Sequence, residues 1–258
     1  MKFIFLPILL LLVFQNTIKS QTESDTGFVP DRPGMATPPD ILTMGFLQVE
    51  TGFQFDNYDF GNFQNENFLF PSILLRYGIQ KNVEIRIQSD YAFTIATDSL
   101  ATSTEHGLNP ITIGTKIKFI EQQNLIPNVS FLINLTLPFL GKKDFRPDSY
   151  APFLCLLFSN SVSENLNVCY NYGISWDGST SEPTQFYALC LGANLNTQWS
   201  IFIEGYGFTN QETNSDFYID AGFAYLINDH FQIDLSGAKN LNSSSDYYCL
   251  STGITWKF

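Results

Sequence analysis

Beyond residue 43 the chain alternates apolar and polar residues with a period of two, and the pattern runs to Phe258. In VEIRIQSDYAFTI one face carries Val83, Ile85, Ile87, Tyr91, Phe93 and Ile95, and the other carries Glu84, Arg86, Gln88, Asp90 and Thr94. In FQIDLSGAK, Phe231, Ile233 and Leu235 oppose Gln232, Asp234 and Ser236. Successive side chains of a strand point to opposite faces, so each stretch predicts a strand with one greasy and one polar face. Strands are expected near 44–55, 67–78, 83–95, 110–120, 126–138, 150–159, 166–176, 185–194, 198–208, 217–226, 231–239 and 246–258. Those at 67–78, 150–159 and 185–194 alternate less clearly. No helical period appears after the first twenty residues.

The connections sort into two kinds. IQKN, EQQNL, NSVSEN, NTQ and INDH are short. DNYDFGNFQNE, ATDSLATSTEHGLN, FLGKKDFRPDS, DGSTSEPT, TNQETNSD and NLNSSS are longer, and the two kinds alternate along the chain. Antiparallel strands crossing one slab produce this when one side stays compact and the other carries elaborated loops. A soluble sandwich has no reason to sort its loops so. About twelve strands of about ten residues suit a bilayer crossing. In hydrocarbon every backbone N–H and C=O must be paired, so a spanning sheet closes on itself. The expected fold is all-β: a closed antiparallel transmembrane β-barrel over 44–258, with greasy faces toward lipid. The last strand, YYCLSTGITWKF, resembles the C-terminal segment that the barrel-assembly machinery reads, with Phe258 at its end. Aromatic residues near predicted strand ends (Tyr58, Phe60 and Phe63; Trp176, Trp199, Phe231 and Trp256) suggest interfacial girdles.

Composition adds three constraints. Aromatic residues make up 16% of the chain and charged residues only 15%, an unusual balance for a soluble domain. MKFIFLPILLLLVFQNTIKS has an early lysine, a short apolar core and a polar end, the layout of a secretory signal peptide over 1–20. Losing its two lysines, Lys2 and Lys19, takes the formal charge from −12 to −14. Such a surface repels nucleic acid. The four cysteines (Cys155, Cys169, Cys190, Cys249) each sit in a separate apolar segment, which favours free thiols over disulfides. Neither His106 nor His230 lies near a cysteine in sequence, and no metal or cofactor site is expected.

With apolar faces outward, the inward residues define function: Glu50, Arg76, Glu84, Arg86, Asp90, Lys116, Lys118, Glu204, Asp220 and Asp234. The basic ones concentrate on the early strands and the acidic Glu204, Asp220 and Asp234 on late ones. In a closed barrel these sectors face each other. Their charges either pair across the lumen and close it, or leave a transverse field that orients a polar solute. Residues 21–43 are rich in Pro, Asp and Thr and lack periodicity. This irregular segment, with Asp31, Arg32 and Pro33, is expected to fold into the periplasmic mouth as a partial plug.

The stretch PDRPGMATPPDILTMGFLQVETGFQFD resembles the start of proteins in the family described as putative MetA-pathway of phenol degradation. The shared features are Asp31-Arg32-Pro33-Gly34, a small and Pro-rich spacer, then Gly45, Gln48, Glu50, Thr51 and Gly52. The resemblance implies a bacterial outer-membrane barrel that passes small, aromatic or hydrophobic solutes inward. Two rival functions are weighed against this channel. One is a closed structural or ligand-binding barrel acting through its outer loops. The other is a barrel enzyme, against which His106 and His230 fall at opposite ends of the barrel.

Overall fold

The computed structural model describes residues 28–210, 215–242 and 246–258. The leader expected at 1–20, and residues 21–27 of the irregular segment, lie outside them. The described residues form strands β1 (Leu47–Asp59), β2 (Phe63–Gln80), β3 (Val83–Asp98), β4 (Thr102–Leu108), β5 (Thr112–Ile120), β6 (Asn128–Thr136) and β7 (Ala151–Ser161). They continue with β8 (Leu166–Ser175), β9 (Thr184–Asn194), β10 (Trp199–Thr209), β11 (Asp216–Asn228), β12 (Phe231–Asn240) and β13 (Asp246–Lys257).

Each strand pairs antiparallel with its neighbour in sequence, except that β3 pairs with both β4 and β5. The ring closes where β1 meets β13, from Gln48 opposite Lys257 to Asp59 opposite Asp246. The Phe258 N–H donates to the Leu47 carbonyl at 2.8 Å and extends that seam. All strands but β4 therefore form a closed barrel of twelve. Closure leaves no barrel edge whose backbone groups would face hydrocarbon unpaired.

Burial is inverted relative to a soluble protein. On β12 and β13 the apolar Ile233, Leu235, Tyr248, Leu250, Ile254 and Trp256 are exposed, whereas Gln232, Asp234, Ser236, Ser251, Thr255 and Lys257 are buried. The same holds on β3, where Ile85 and Ile87 lie outside and Glu84 and Arg86 inside. A continuous apolar exterior far exceeds the patch a soluble monomer leaves in water. It matches the lipid-facing surface of a transmembrane barrel.

Three expectations need correction. The first long connection is mostly strand: β1 and β2 stay paired up to Asp59 opposite Gln64, leaving only residues 60–62 as a turn. The second contains β4, which pairs with the outer part of β3 from Tyr91 to Thr97. β4 is exposed on nearly all its length, so no apolar face is imposed on it and it does not alternate. Tyr58 is not a girdle residue, because it points inward and packs against the tilted ring of Tyr247 at 4.7 Å between centroids. Phe60, Phe63, Trp199 and Trp256 are exposed at the rims.

The weakly alternating strands also have physical explanations. In β2 the register shifts between Leu69 and Ser72, around Pro71. In β7 and β9 the inner face is itself apolar, with Cys155, Leu157, Phe186 and Ala188 buried there. With both faces greasy, no period-two signal survives. The four cysteines are free thiols, as the sequence reading favoured.

Candidate functional site: the barrel interior and the segment that crosses it

Residues 28–43 bond to the inner faces of strands all round the ring. The segment's partners include Glu50 on β1, Arg76 on β2, Lys116 on β5, Ser130 on β6, Asn171 on β8, Glu204 on β10 and Asp234 on β12. A stretch that reaches so many sectors of a closed ring runs through its interior. It does so at the end where β1 begins and the chain returns from β13. The short turns 81–82, 162–165, 195–198 and 229–230 lie at this same end, which in outer-membrane barrels faces the periplasm.

Two adjacent residues dock in opposite directions. Asp31 faces the basic sector: its carboxylate accepts from Lys116 Nζ at 2.9 Å, lies 3.1 Å from Arg76 Nη1, and pairs with Arg86. Arg32 faces the acidic sector: its Nη2 and Nε donate to Asp234 at 3.0 and 3.2 Å, and Nη2 also to Ser251 at 2.9 Å. The backbone N–H groups of Asp31 and Arg32 donate to Glu50 at 3.1 Å. Further along, Glu204 accepts from the N–H groups of Met35 and Ala36, and Asn171 brackets Thr37, accepting from its N–H at 2.7 Å and donating to its carbonyl at 3.0 Å.

Beneath Asp31 lies a buried ion-pair network. Arg76, with no exposed surface, donates to Glu84 through Nε and Nη2 and to Glu50 through Nη1, each at 2.9 Å. Lys116 also donates to the Pro38 and Asp40 carbonyls. Isolated charges in such a site would cost several kcal/mol each, so mutual pairing is what makes their burial tolerable.

Two glycines allow the close approach. Gly52 and Gly253 stand opposite each other on β1 and β13. A Cβ on Gly253 would come within 2.5–2.6 Å of the Arg32 guanidinium. Gly34 lies against Glu204, whose carboxylate oxygens would be 3.1 Å from an added Cβ. The Asp31-Arg32-Pro33-Gly34 motif and the Glu50…Gly52 motif are thus two sides of one contact.

Of the residues singled out from sequence, Glu50, Arg76, Glu84, Arg86, Lys116, Glu204, Asp220 and Asp234 are all buried on the inner face. Among the described residues the basic and acidic sectors form no direct ion pair across the lumen; residues 31–36 lie between them. Lys118 sits at the rim, 3.5 Å from Asp40. Asp90 lies higher, opposite Ser72, away from the network. Sequence reasoning missed the partners Ser130, Asn171 and Ser251, because a small polar inward residue carries no distinguishing signal.

It also missed the interior rings. Toward the long-loop end, Phe153, Phe186, Phe208, Tyr206, Tyr218, Tyr247 and Tyr58 touch in succession, with neighbouring centroids 4.7–6.2 Å apart. Tyr206 and Tyr218 are stacked at 4.9 Å and 9°. Cavities lie at both ends. An outer one of about 470 Å³ is bordered by Phe145, Arg146, Phe153, Trp176 and Asp177. There the backbone N–H groups of Thr180 and Ser179 hold the Asp177 carboxyl below the usual carboxylate range. An inner cavity of about 230 Å³ lies between residues 30–38 and strands β8–β12. His106, on β4, meets the Tyr91 hydroxyl at 2.8 Å, and His230 lies in a turn at the opposite end.

Fold and interior together define a transmembrane β-barrel of the bacterial outer membrane, with its own N-terminal segment inside. Residues 30–258 match the model of the family described as "Putative MetA-pathway of phenol degradation", and the chain belongs to that family. Among solved structures, it is similar to the COG4313 outer membrane channel from Pseudomonas putida F1 (TM-score 0.66, 13% identity, 93% of this chain and 100% of that one). It is also similar to the translocator domain of autotransporter NalP from Neisseria meningitidis (TM-score 0.55, 10% identity, 84% and 89%). A third is the KdgM porin in complex with disordered oligogalacturonate (TM-score 0.54, 8% identity, 82% and 99%). At these identities the likeness is one of fold. No curated protein matches the chain.

Proposed function

We propose that the protein is an outer-membrane channel for small solutes, with residues 28–43 as a partial plug in its periplasmic half. The observation that carries this reading is the construction of the interior. An aromatic stretch and a cavity lie at the long-loop end. A polar, charge-matched stretch and a second cavity lie at the other, with the segment between them. A solute entering from outside meets ring faces first, which favours small aromatic or hydrophobic molecules, in line with the family's description. Glu50, Arg76, Glu84, Arg86, Asp90, Lys116, Lys118, Glu204, Asp220 and Asp234 then line its route or hold the plug beside it. The barrel-assembly machinery is the further partner proposed, reading β13 and Phe258.

Planar-bilayer recording tests the channel. The intact protein is expected to show small, measurable conductance, and deletion of residues 22–43 to raise it severalfold by widening the lumen. A folded deletion variant with no conductance would instead support a closed barrel acting through its loops.

A further inference from the structure

The N-terminal segment is held unevenly around the ring. Its ion pairs run to Arg76 on β2, Arg86 on β3, Lys116 and Lys118 on β5, and Asp234 on β12. Toward β8–β11 it forms none among the described residues, and the inner cavity of about 230 Å³ lies on that side instead. The barrel wall of this cavity includes Asn194 and Ser200, which flank the short turn 195–198, and reaches Cys190 and Glu204 several residues further into the barrel. Small side chains at Gly192, Ser200 and Ala224 keep that wall low. The cavity is thus a half-channel beside the segment, running inward from the short-turn end.

At its inner end the polar contacts between segment and wall are hydrogen bonds to the segment's backbone. Glu204 accepts from the Met35 and Ala36 N–H groups. Asn171 accepts from the Thr37 N–H and donates to its carbonyl, and the Cys169 thiol donates to the same carbonyl at 3.4 Å. Beyond these contacts, toward the long loops, Tyr206 and Phe186 begin the aromatic row. Residues 35–37 therefore divide the half-channel from the aromatic stretch. Their bonds are separate from the ion pairs of Asp31 and Arg32, so this short run opens without releasing the anchored part. Local openings draw on the least stabilised contacts, and hydrogen bonds to backbone are weaker than a buried ion-pair network.

We propose that solutes pass the segment on the β8–β11 side, through this cavity, with residues 35–37 as the closure between it and the aromatic stretch. This rests on the channel reading and fixes the side on which the route runs and the contacts that close it. Cys190 supplies a native probe: it is half-buried in the cavity wall, whereas Cys155, Cys169 and Cys249 are buried. The full chain would be recorded in planar bilayers before and after a membrane-impermeant methanethiosulfonate, with mass spectrometry of the same preparation identifying the thiol that reacts. Cys190 is expected to react, and most of the conductance to be lost with it. Cys190→Ser should keep its own starting conductance under the same treatment. Asn171→Ala, which frees Thr37 but leaves the ion pairs of Asp31 and Arg32, should raise conductance about twofold or more. Heat-modifiable gel mobility confirms that each variant is folded. An unreacted Cys190, an unchanged conductance once Cys190 is modified, an equal loss in Cys190→Ser, or a folded Asn171→Ala that conducts like the wild type would each overturn the route and leave the channel reading standing. An intact protein that conducts nothing overturns the channel reading, and the route with it.

Discussion

Arg76 shows how a single side chain holds this interior together. It donates to Glu84 and Glu50 and lies 3.1 Å from Asp31, with no exposed surface. Arg76→Met would leave three carboxylates to share Arg86 and Lys116, and breaking a buried pair on one side costs about 3–5 kcal/mol. That loss is expected as a lower unfolding midpoint in urea; an unchanged midpoint would show that the network adds little. Gly253 gives a subtler case. In Gly253→Ala the new methyl would overlap both the Arg32 guanidinium and the Thr51 carbonyl, so Arg32 must leave Asp234 and the β1–β13 seam must shift locally. The amides of Asp31 and Arg32, protected by Glu50, should then exchange hydrogen about tenfold faster, and Arg32→Ala should do the same. At this scale the sequence was half legible. Charged inward residues stood out because charge on a greasy strand is conspicuous. Gly253, Ser251 and Asn171 did not, because small and polar is what any inner face carries.

At the scale of elements, strands that cross hydrocarbon were readable and those beyond it were not. A lipid-facing position must be apolar, so β3, β12 and β13 alternate cleanly. The β4 hairpin is exposed on both faces and looks like a loop in sequence. Because β5 joins β3 lower down, from Val83 to Gln88, replacing residues 99–109 by a short turn should leave the barrel folded. Its heat-modifiable mobility should persist, and losing that mobility would show that the hairpin supports closure. The lipid face is the opposite case. Leu235 points outward from β12 while its neighbour Asp234 points inward. Leu235→Arg should cost about 2–4 kcal/mol if it lies near the bilayer midplane, read from unfolding titrations in vesicles. Loss of alternation in β7 and β9, a weakness for strand assignment, marked the apolar lining of the lumen.

At the scale of the whole molecule, the interior behaves as an oriented field with a matching insert. Basic groups on β2, β3 and β5 face acidic groups on β10, β11 and β12 across the ring. Asp31 and Arg32 point their opposite charges at the appropriate walls. Net charge alone cannot produce this arrangement; the order of the two residues can. Exchanging them, by Asp31→Arg with Arg32→Asp, keeps composition, length and net charge. It nevertheless brings arginine against Arg76, Arg86 and Lys116, and aspartate against Asp234. Like charges in a weakly screened interior repel by several kcal/mol, more than the Glu50 and Glu204 contacts to the backbone can offset. The exchanged segment should therefore release, and conductance should rise to the level of the variant lacking residues 22–43. The single substitutions Asp31→Asn and Arg32→Gln, which remove attraction without adding repulsion, should give intermediate values. If the exchanged protein conducts like the wild type, shape and backbone hydrogen bonds hold the segment, and the transverse field has no part in its docking.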